Sequence, residues 1–178
     1  LPASTTFLDS SGLMIFRATL AILIATALHA VGQELTQTQL LWKNSFAEER
    51  AGNYKAALEY NAAIRNESDS YYANLRAGWL NYLLTDYDNA IEFYGKASIM
   101  APGAVSPLLG LSNCYVAKND TPNAIRVTSA VLALDPTSYS ANSRLAELYW
   151  RAENYGYAAS YYLKLSTLFP EDLGEKRA

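Results

Sequence analysis

The hydrophobic and polar positions of the chain repeat at an interval of 34 residues over most of its length. The interval separates three prolines and three alanines, namely Pro102, Pro136, Pro170, Ala90, Ala124 and Ala158. A fixed period in this range marks a repeat protein, in which each unit buries its apolar face only by stacking on the next unit. The pattern therefore predicts a short helical solenoid and favours a binding surface over a catalytic pocket.

Each unit is predicted to be two amphipathic helices joined by a tight turn. Asp135-Pro136 ends a helix, because the residue before a proline is disfavoured in the α region. Thr121-Pro122 begins a helix, with a hydroxyl cap and a proline in the first turn. We predict helices over residues 37–50, 54–66, 71–84, 87–100, 105–117, 121–133, 139–152 and 155–168.

Small residues mark the places where two helices of such a solenoid approach closely, because a large side chain there would push them apart. Extending the 34-residue register backwards from Ala90 reaches Ala56, in a degenerate first unit. Gly52-Asn53-Tyr54 is then one residue out of step with Ala56. The register predicts close contacts and gap-filling rings at Ala56, Ala90, Ala124, Ala158, Tyr60, Tyr94 and Tyr162.

The clearest unit spans residues 71–104 and reads YYANLRAGWLNYLLTDYDNAIEFYGKASIMAPGA. It resembles the tetratricopeptide repeat family, with Ala77-Gly78 as the small pair of the first helix and Pro102 closing the unit. The resemblance covers about three-quarters of the chain. It implies an all-α, right-handed solenoid of helix hairpins, with four units over residues 36–70, 71–104, 105–138 and 139–172.

The resemblance also implies a concave surface lined by the first helix of each unit. The register places six residues on this surface: Tyr72, Trp79, Tyr82, Asn113, Val116 and Trp150. Aromatic anchors in a concave surface favour an apolar helix or an extended peptide as the partner. The basic residues with which the family clamps a terminal carboxylate are missing, since Arg76 and Arg144 alone do not form that set. The alternative role for each aromatic residue is packing between repeats.

A second feature is the apolar segment over residues 13–31, in which fifteen of nineteen residues are apolar. It follows an extended arm over residues 1–12, and we expect a long helix over residues 13–35. Three interpretations compete: a secretory signal peptide, a membrane anchor with Arg17 and His29 near its ends, or a helix buried against protein. Because the chain begins with Leu1 and not Met, we expect that any leader is already removed and that protein buries the segment.

The residues of this segment suit close contact with a partner helix. Ala18, Ala21 and Ala25 recur every three or four residues, a spacing that lets helices pack closely. A helix that is apolar nearly all round needs cover all round, which one neighbouring repeat does not supply. We therefore expect burial between copies of the chain, through Ile15, Phe16, Leu20, Ala21, Leu23, Ile24, Ala25 and Leu28.

The C-terminal end is expected to be uncapped, although solenoids usually end in a polar capping helix. After Pro170 only EDLGEKRA follows, with a tail over residues 173–178, and this is too short for a helix of normal length. Different ends that complement each other make heterologous contacts, which propagate into rings or filaments. The apolar outer face of the last helix is expected to comprise Tyr157, Tyr161, Leu165 and Leu168.

Composition indicates a surface that is polar but weakly ionised. Charged residues make up 17% of the chain, against roughly 25% in typical soluble domains, and there are fourteen tyrosines. This balance favours an extracellular or cell-surface location. The net charge of −3 is small and unclustered, which argues against nucleic acid as a partner. Asn66 and Asn119 each begin an N-glycosylation sequon.

No pattern in the chain indicates an enzyme, a metal site or a cofactor. The one histidine, His29, lies in the apolar segment, no Cys/His cluster has metal-ligand spacing, and no glycine-rich phosphate loop is present. The acidic pair Glu48-Glu49 is interpreted as solvated charge. Cys114 is interpreted as a small core residue.

These patterns predict a structural, self-assembling repeat protein, the subunit of an extracellular or cell-surface filament. Its partners would be copies of itself, with the apolar N-terminal helix buried against neighbouring subunits. The alternative is a membrane-anchored or periplasmic scaffold that binds another protein or a peptide in its concave groove.

Overall fold

The computed structural model describes residues 35–170, and every regular element in this range is an α-helix. The predicted helices are confirmed to within one residue at each end. In chain order they are α1 (Gln37–Arg50), α2 (Tyr54–Glu67), α3 (Tyr71–Leu83), α4 (Tyr87–Met100), α5 (Val105–Ala117), α6 (Thr121–Leu134), α7 (Tyr139–Arg151) and α8 (Tyr155–Leu168).

The helices pack in chain order, as a repeat solenoid requires. From α2 to α8, each helix packs against the next along the chain, both within a unit and across the junction to the following unit. In addition α3 contacts α5, so the first helices of neighbouring units also lie side by side. Within residues 35–170 the predicted solenoid of helix hairpins is thus confirmed. The apolar helix expected over residues 13–35 lies almost wholly outside the described residues.

The same left-handed turn joins the two helices of every unit. One residue with positive φ occupies the turn each time, at Gly52, Thr85, Asn119 and Glu153, with φ between 57° and 80°. In the second unit the Thr85 N–H donates to the Tyr82 carbonyl (3.0 Å) and the Asp86 N–H donates to the Asn81 carbonyl (2.9 Å). These bonds satisfy carbonyls that the end of a helix would leave unpaired. A left-handed residue therefore ends each first helix even where it is not glycine.

The close contacts between helices occur at alanine, as predicted, but the register of the first unit was wrong by one residue. Ala90, Ala124 and Ala158 are fully buried, and Ala57 rather than Ala56 is buried with them. The reason is the connection between α2 and α3, which has three residues, whereas the connections from α4 to α5 and from α6 to α7 have four. Asn61 therefore takes the place predicted for Tyr60, and Asn61 is fully buried.

Tyr94 fills a gap between the second and third units, and two glycines make room for it. Its ring lies between α3 and α5, so that an ideal Cβ added to Gly78 or Gly110 would come within 2.7 Å or 2.4 Å of ring atoms. Tyr94 is 5% exposed, which confirms its predicted role. It forms a core cluster with Ala90, Leu111, Cys114 and Val127.

Cys114 is confirmed as a core residue, since it is fully buried and has no disulfide partner. Burial raises the pKa of its thiol to about 11. The thiolate is the nucleophilic form of cysteine, so this thiol is unreactive at neutral pH.

Candidate protein-binding surface

A cluster of charged and aromatic side chains joins the first helices of the first two units. The Arg76 Nη1 atom donates to Glu49 Oε2 (2.7 Å), and the Arg76 Nε atom donates to Ser45 Oγ (3.0 Å). The Trp79 indole Nε1 atom donates to Glu49 Oε1 (2.7 Å). The Arg76 guanidinium carbon also lies 3.8 Å from the centroid of the Phe46 ring. Both carboxylate oxygens of Glu49 are therefore used to hold α1 against α3.

An open depression of about 540 Å³ lies over this cluster. The Arg76 side chain is only 7% exposed, while Trp79 and Phe46 are 39% and 47% exposed. Arg76 and Glu49 line the depression as an ion pair in which Arg76 is buried and the Glu49 side chain is 23% exposed, and the two rings keep exposed surface beside it. The lining residues are Phe46, Glu49, Arg50, Tyr54, Arg76, Trp79 and Leu83.

The depression was missed by sequence reasoning because half of it comes from the degenerate first unit. Glu49 was expected to be solvated charge, which is wrong, since it accepts hydrogen bonds from Arg76 and Trp79. Glu48 instead accepts from the Asn53 side chain (2.8 Å). The pairs Glu49–Arg76 and Glu49–Trp79 are 27 and 30 residues apart, so only a correct register between α1 and α3 could have found them.

The predicted surface residues on α3 form an aromatic row. Trp79 stacks on Tyr82 with ring centroids 6.0 Å apart, and Tyr82 contacts Tyr87 at 5.6 Å. Tyr82 is half-buried and packs against the core cluster around Tyr94. Tyr72 is 70% exposed and meets Tyr71 edge to face. Trp79 and Tyr72 therefore expose part of their rings to solvent, whereas the half-buried Tyr82 packs between Trp79 and the core cluster.

The remaining predicted surface residues lie on α5 and α7. Trp150 is 58% exposed and packs edge to face on Tyr155, with centroids 5.0 Å apart. Val116 is half-buried. Asn113 is also half-buried, and its side-chain oxygen accepts from Arg144. The surface therefore has two exposed tryptophans on different units, each supported by a tyrosine.

The other predictions concern the assembly helix, the sequons, a membrane span and metal sites. The residues predicted to mediate assembly, between Ile15 and Leu28, lie outside the described residues. The sequon residues Asn66 and Asn119 are both exposed. No helix within residues 35–170 is both long and apolar enough to cross a lipid bilayer. The same part of the chain contains no group of three or more acidic, histidine or cysteine residues placed to hold a metal ion.

The sequence matches the tetratricopeptide repeat family model over residues 47–105 and 109–172, which is more than half of the chain. The chain therefore belongs to the tetratricopeptide repeat family. No curated protein matches it by sequence.

Several solved structures share the fold. A crystal structure of MamA is 15% identical with a TM-score of 0.71, over 94% of this chain and 99% of that chain. MamA from Desulfovibrio magneticus RS-1 is 18% identical with a TM-score of 0.69, over 74% and 75% of the two chains. A tetratricopeptide repeat protein from Parabacteroides merdae is 17% identical with a TM-score of 0.71, over 75% and 54%. At these identities the likeness shows the fold alone.

Proposed function

We propose that this protein is a binding scaffold whose first helices hold an apolar helix or an extended peptide of a protein partner. The observation that carries the proposal is the exposure of Trp79 and Trp150 on first helices of different units. Exposed tryptophans held at fixed positions are typical anchors of protein interfaces. Trp79 is restricted before binding by stacking on Tyr82 and by its hydrogen bond to Glu49, and Trp150 by its edge-to-face contact with Tyr155. This restriction lowers the entropy lost on association.

The test uses peptides selected for binding to the full chain from a displayed library of amphipathic helices and extended sequences. Trp79→Ala and Trp150→Ala should each weaken binding of the selected peptides by roughly thirtyfold, the effect of losing a strong interface anchor. Trp150→Ala should change the midpoint of thermal unfolding little, because its side chain is 58% exposed. Trp79→Ala should lower the midpoint slightly, because it also removes the hydrogen bond to Glu49.

Tyr157→Ala is the matched control, because Tyr157 on α8 has the same 58% exposure as Trp150 but lies on a second helix. It should leave the affinity unchanged. Unaltered peptide affinity in both tryptophan variants would reject the surface. Unfolding of both variants at lower temperature would show that the rings pack between repeats.

A second proposed function is self-assembly of this scaffold into an extracellular or cell-surface filament. Three observations favour it: the 19-residue apolar segment over residues 13–31, the exposed ring of Tyr162 on α8 (46%), and the low charged fraction. Copies of the chain would then bury the apolar segment between them. The exposed sequons Asn66 and Asn119 are accessible to glycosylation in that location.

Self-assembly is tested with Ala21→Trp and Ala25→Trp in the full chain. Both should reduce the sedimentation coefficient of assembled material, because close helix contact needs small side chains. Ala3→Trp, in the N-terminal arm, is the control and should assemble normally. Normal assembly of all three variants, with solubility that depends on detergent, would instead favour a membrane anchor.

A further inference from the structure

The last described helix, α8, has the side chains of a junction between units, but no following helix within residues 35–170 covers it. In the register of the second helices, Tyr162 and Leu165 correspond to Tyr94 and Ala97 on α4 and to Thr128 and Val131 on α6. Those four interior residues are at most 5% exposed. Tyr162 is 46% exposed, although Ala158, one turn earlier on the same face of α8, is fully buried.

At each interior junction the first helix of the next unit provides the cover. α5 covers α4 with residues spaced at i, i+3, i+4 and i+7: Pro107, Gly110, Leu111 and Cys114, all of them buried. The second of these positions, Gly110, lies against the Tyr94 ring. A Cβ atom added there would come within 2.4 Å of a ring atom, so no larger residue fits without a shift. A tyrosine at this register position therefore requires a small residue on the covering helix.

The other first helices do not meet this requirement. The position of Gly110 is occupied by Arg76 in α3, by Arg144 in α7 and, with the one-residue offset of the first unit, by Lys43 in α1. Arg144 faces the smaller Thr128, since its Nη1 atom lies 3.3 Å from Ser112 Oγ, which in turn lies 2.7 Å from Thr128 Oγ1. Covering α8 with α1 of a second copy would place Lys43 against Tyr162.

The apolar segment has the required pattern. Ala18, Ala21, Ile22 and Ala25 have the same spacing as Pro107, Gly110, Leu111 and Cys114, with small, small, large and small side chains in the same order. We propose that the face of α8 around Tyr162 and Leu165 binds residues 13–31 of a second copy of the chain, with Ala21 against Tyr162. The segment acts there as the first helix of a fifth unit, completed between two molecules.

The occupant belongs to a second copy because of the reach of the chain. Residues 32–36 join the segment to α1 and span at most about 18 Å when fully extended. α8 is three units away from α1 in the packing order. Each copy would therefore donate its segment to one neighbour and accept a segment from another, which is a heterologous contact that propagates.

This inference rests on the proposed self-assembly and names its contact site. The experiment mixes two full-length variants in a Cys114→Ser background, one with Ala21→Cys and the other with Tyr162→Cys. Mild oxidation should link them into a disulfide-bonded heterodimer. Leu163→Cys is the matched control, since Leu163 neighbours Tyr162 but corresponds to the exposed Ser129 on α6. Its yield with Ala21→Cys should be at least about tenfold lower, because adjacent helical residues point in different directions.

Sedimentation of the unsubstituted chain and of two charge variants separates the two proposals. Tyr162→Glu should weaken association at least about tenfold, and Leu163→Glu should leave it unchanged. Assembly that survives Tyr162→Glu, or equal disulfide yields at positions 162 and 163, would overturn the α8 site while self-assembly stands. If the unsubstituted chain sediments as a monomer at all concentrations, self-assembly and this site both fail.

Discussion

Tyr94 and Tyr162 are tyrosines at the same register position of two different units, but one is buried and the other is exposed. Tyr94 on α4 is 5% exposed between Gly78 and Gly110, and burial raises the pKa of its phenol. Tyr162 on α8 is 46% exposed, and its own first helix offers Ala146 where α3 offers Gly78. The comparison shows that in a repeat protein the neighbouring unit decides whether a residue is core or surface. It also shows why Tyr162, predicted to fill a gap between units, does not do so within the described chain.

The largest effect is expected from truncating the two rings. Tyr94→Ala should lower the free energy of unfolding by about 3–5 kcal/mol, because it leaves a ring-sized cavity between α3 and α5. Tyr162→Ala should cost only about 1 kcal/mol in the dilute, unassembled protein, since the side chain is already 46% exposed and its removal leaves no enclosed cavity. Urea unfolding followed by circular dichroism measures both. Equal losses would mean that the two positions are equivalent and that something covers Tyr162.

An intermediate effect is expected from the glycines. Gly110→Ala should destabilise the protein by roughly 1–3 kcal/mol, because the added Cβ overlaps the Tyr94 ring in a packed core. Gly95→Ala is the matched control, also within a helix but with no atom within 4 Å of an added Cβ. It should stabilise by about 0.5–1 kcal/mol through helix propensity. Thermal unfolding of both variants provides the comparison, and a stabilising Gly110→Ala would show that the ring can move aside.

The sequence predicted the helices well because the signals that begin and end them are local. At α6 the helix begins at Thr121-Pro122 as predicted, but the predicted hydroxyl cap was wrong. The cap is the Asp120 carboxylate, which accepts from the Asn123 side-chain amide (2.7 Å) and from the Asn123 backbone N–H (3.2 Å). The hydrogen bond from the Asn123 side chain, and after it the one from the Asn123 backbone, hold the pKa of Asp120 below its usual value. The turn at Thr85 gave no such signal, because a β-branched residue rarely adopts positive φ. Its role is visible only from its alignment with Gly52, Asn119 and Glu153.

The candidate surface was harder to predict, because it depends on register between distant residues. A single missing residue between α2 and α3 moved Ala57 and Asn61 out of the predicted pattern. The same offset hid the pairing of Glu49 with Arg76, since a charged pair is interpretable only when its partner is known. The repeat register predicted that Trp79 and Trp150 lie on the surface. It did not predict the contacts that hold these rings in place.

The smallest expected effect is on the pH dependence of stability, and it comes from the phenol of Tyr94. The phenol of Tyr94 is neutral in the folded protein, because its burial disfavours the charged form and raises its pKa above the ordinary value of about 10. The unfolded chain loses this proton above pH 10, whereas the folded chain keeps it. The stability that Tyr94 contributes is therefore complete below pH 10 and declines above it, by at most about 1.4 kcal/mol per pH unit for one proton.

Tyr94→Phe removes this proton and should show a shallower loss of stability between pH 10 and pH 11 than the unsubstituted protein. Urea unfolding at pH 8, 10 and 11 measures the slopes, and parallel slopes would mean that Tyr94 ionises as freely in the folded protein as in the unfolded chain.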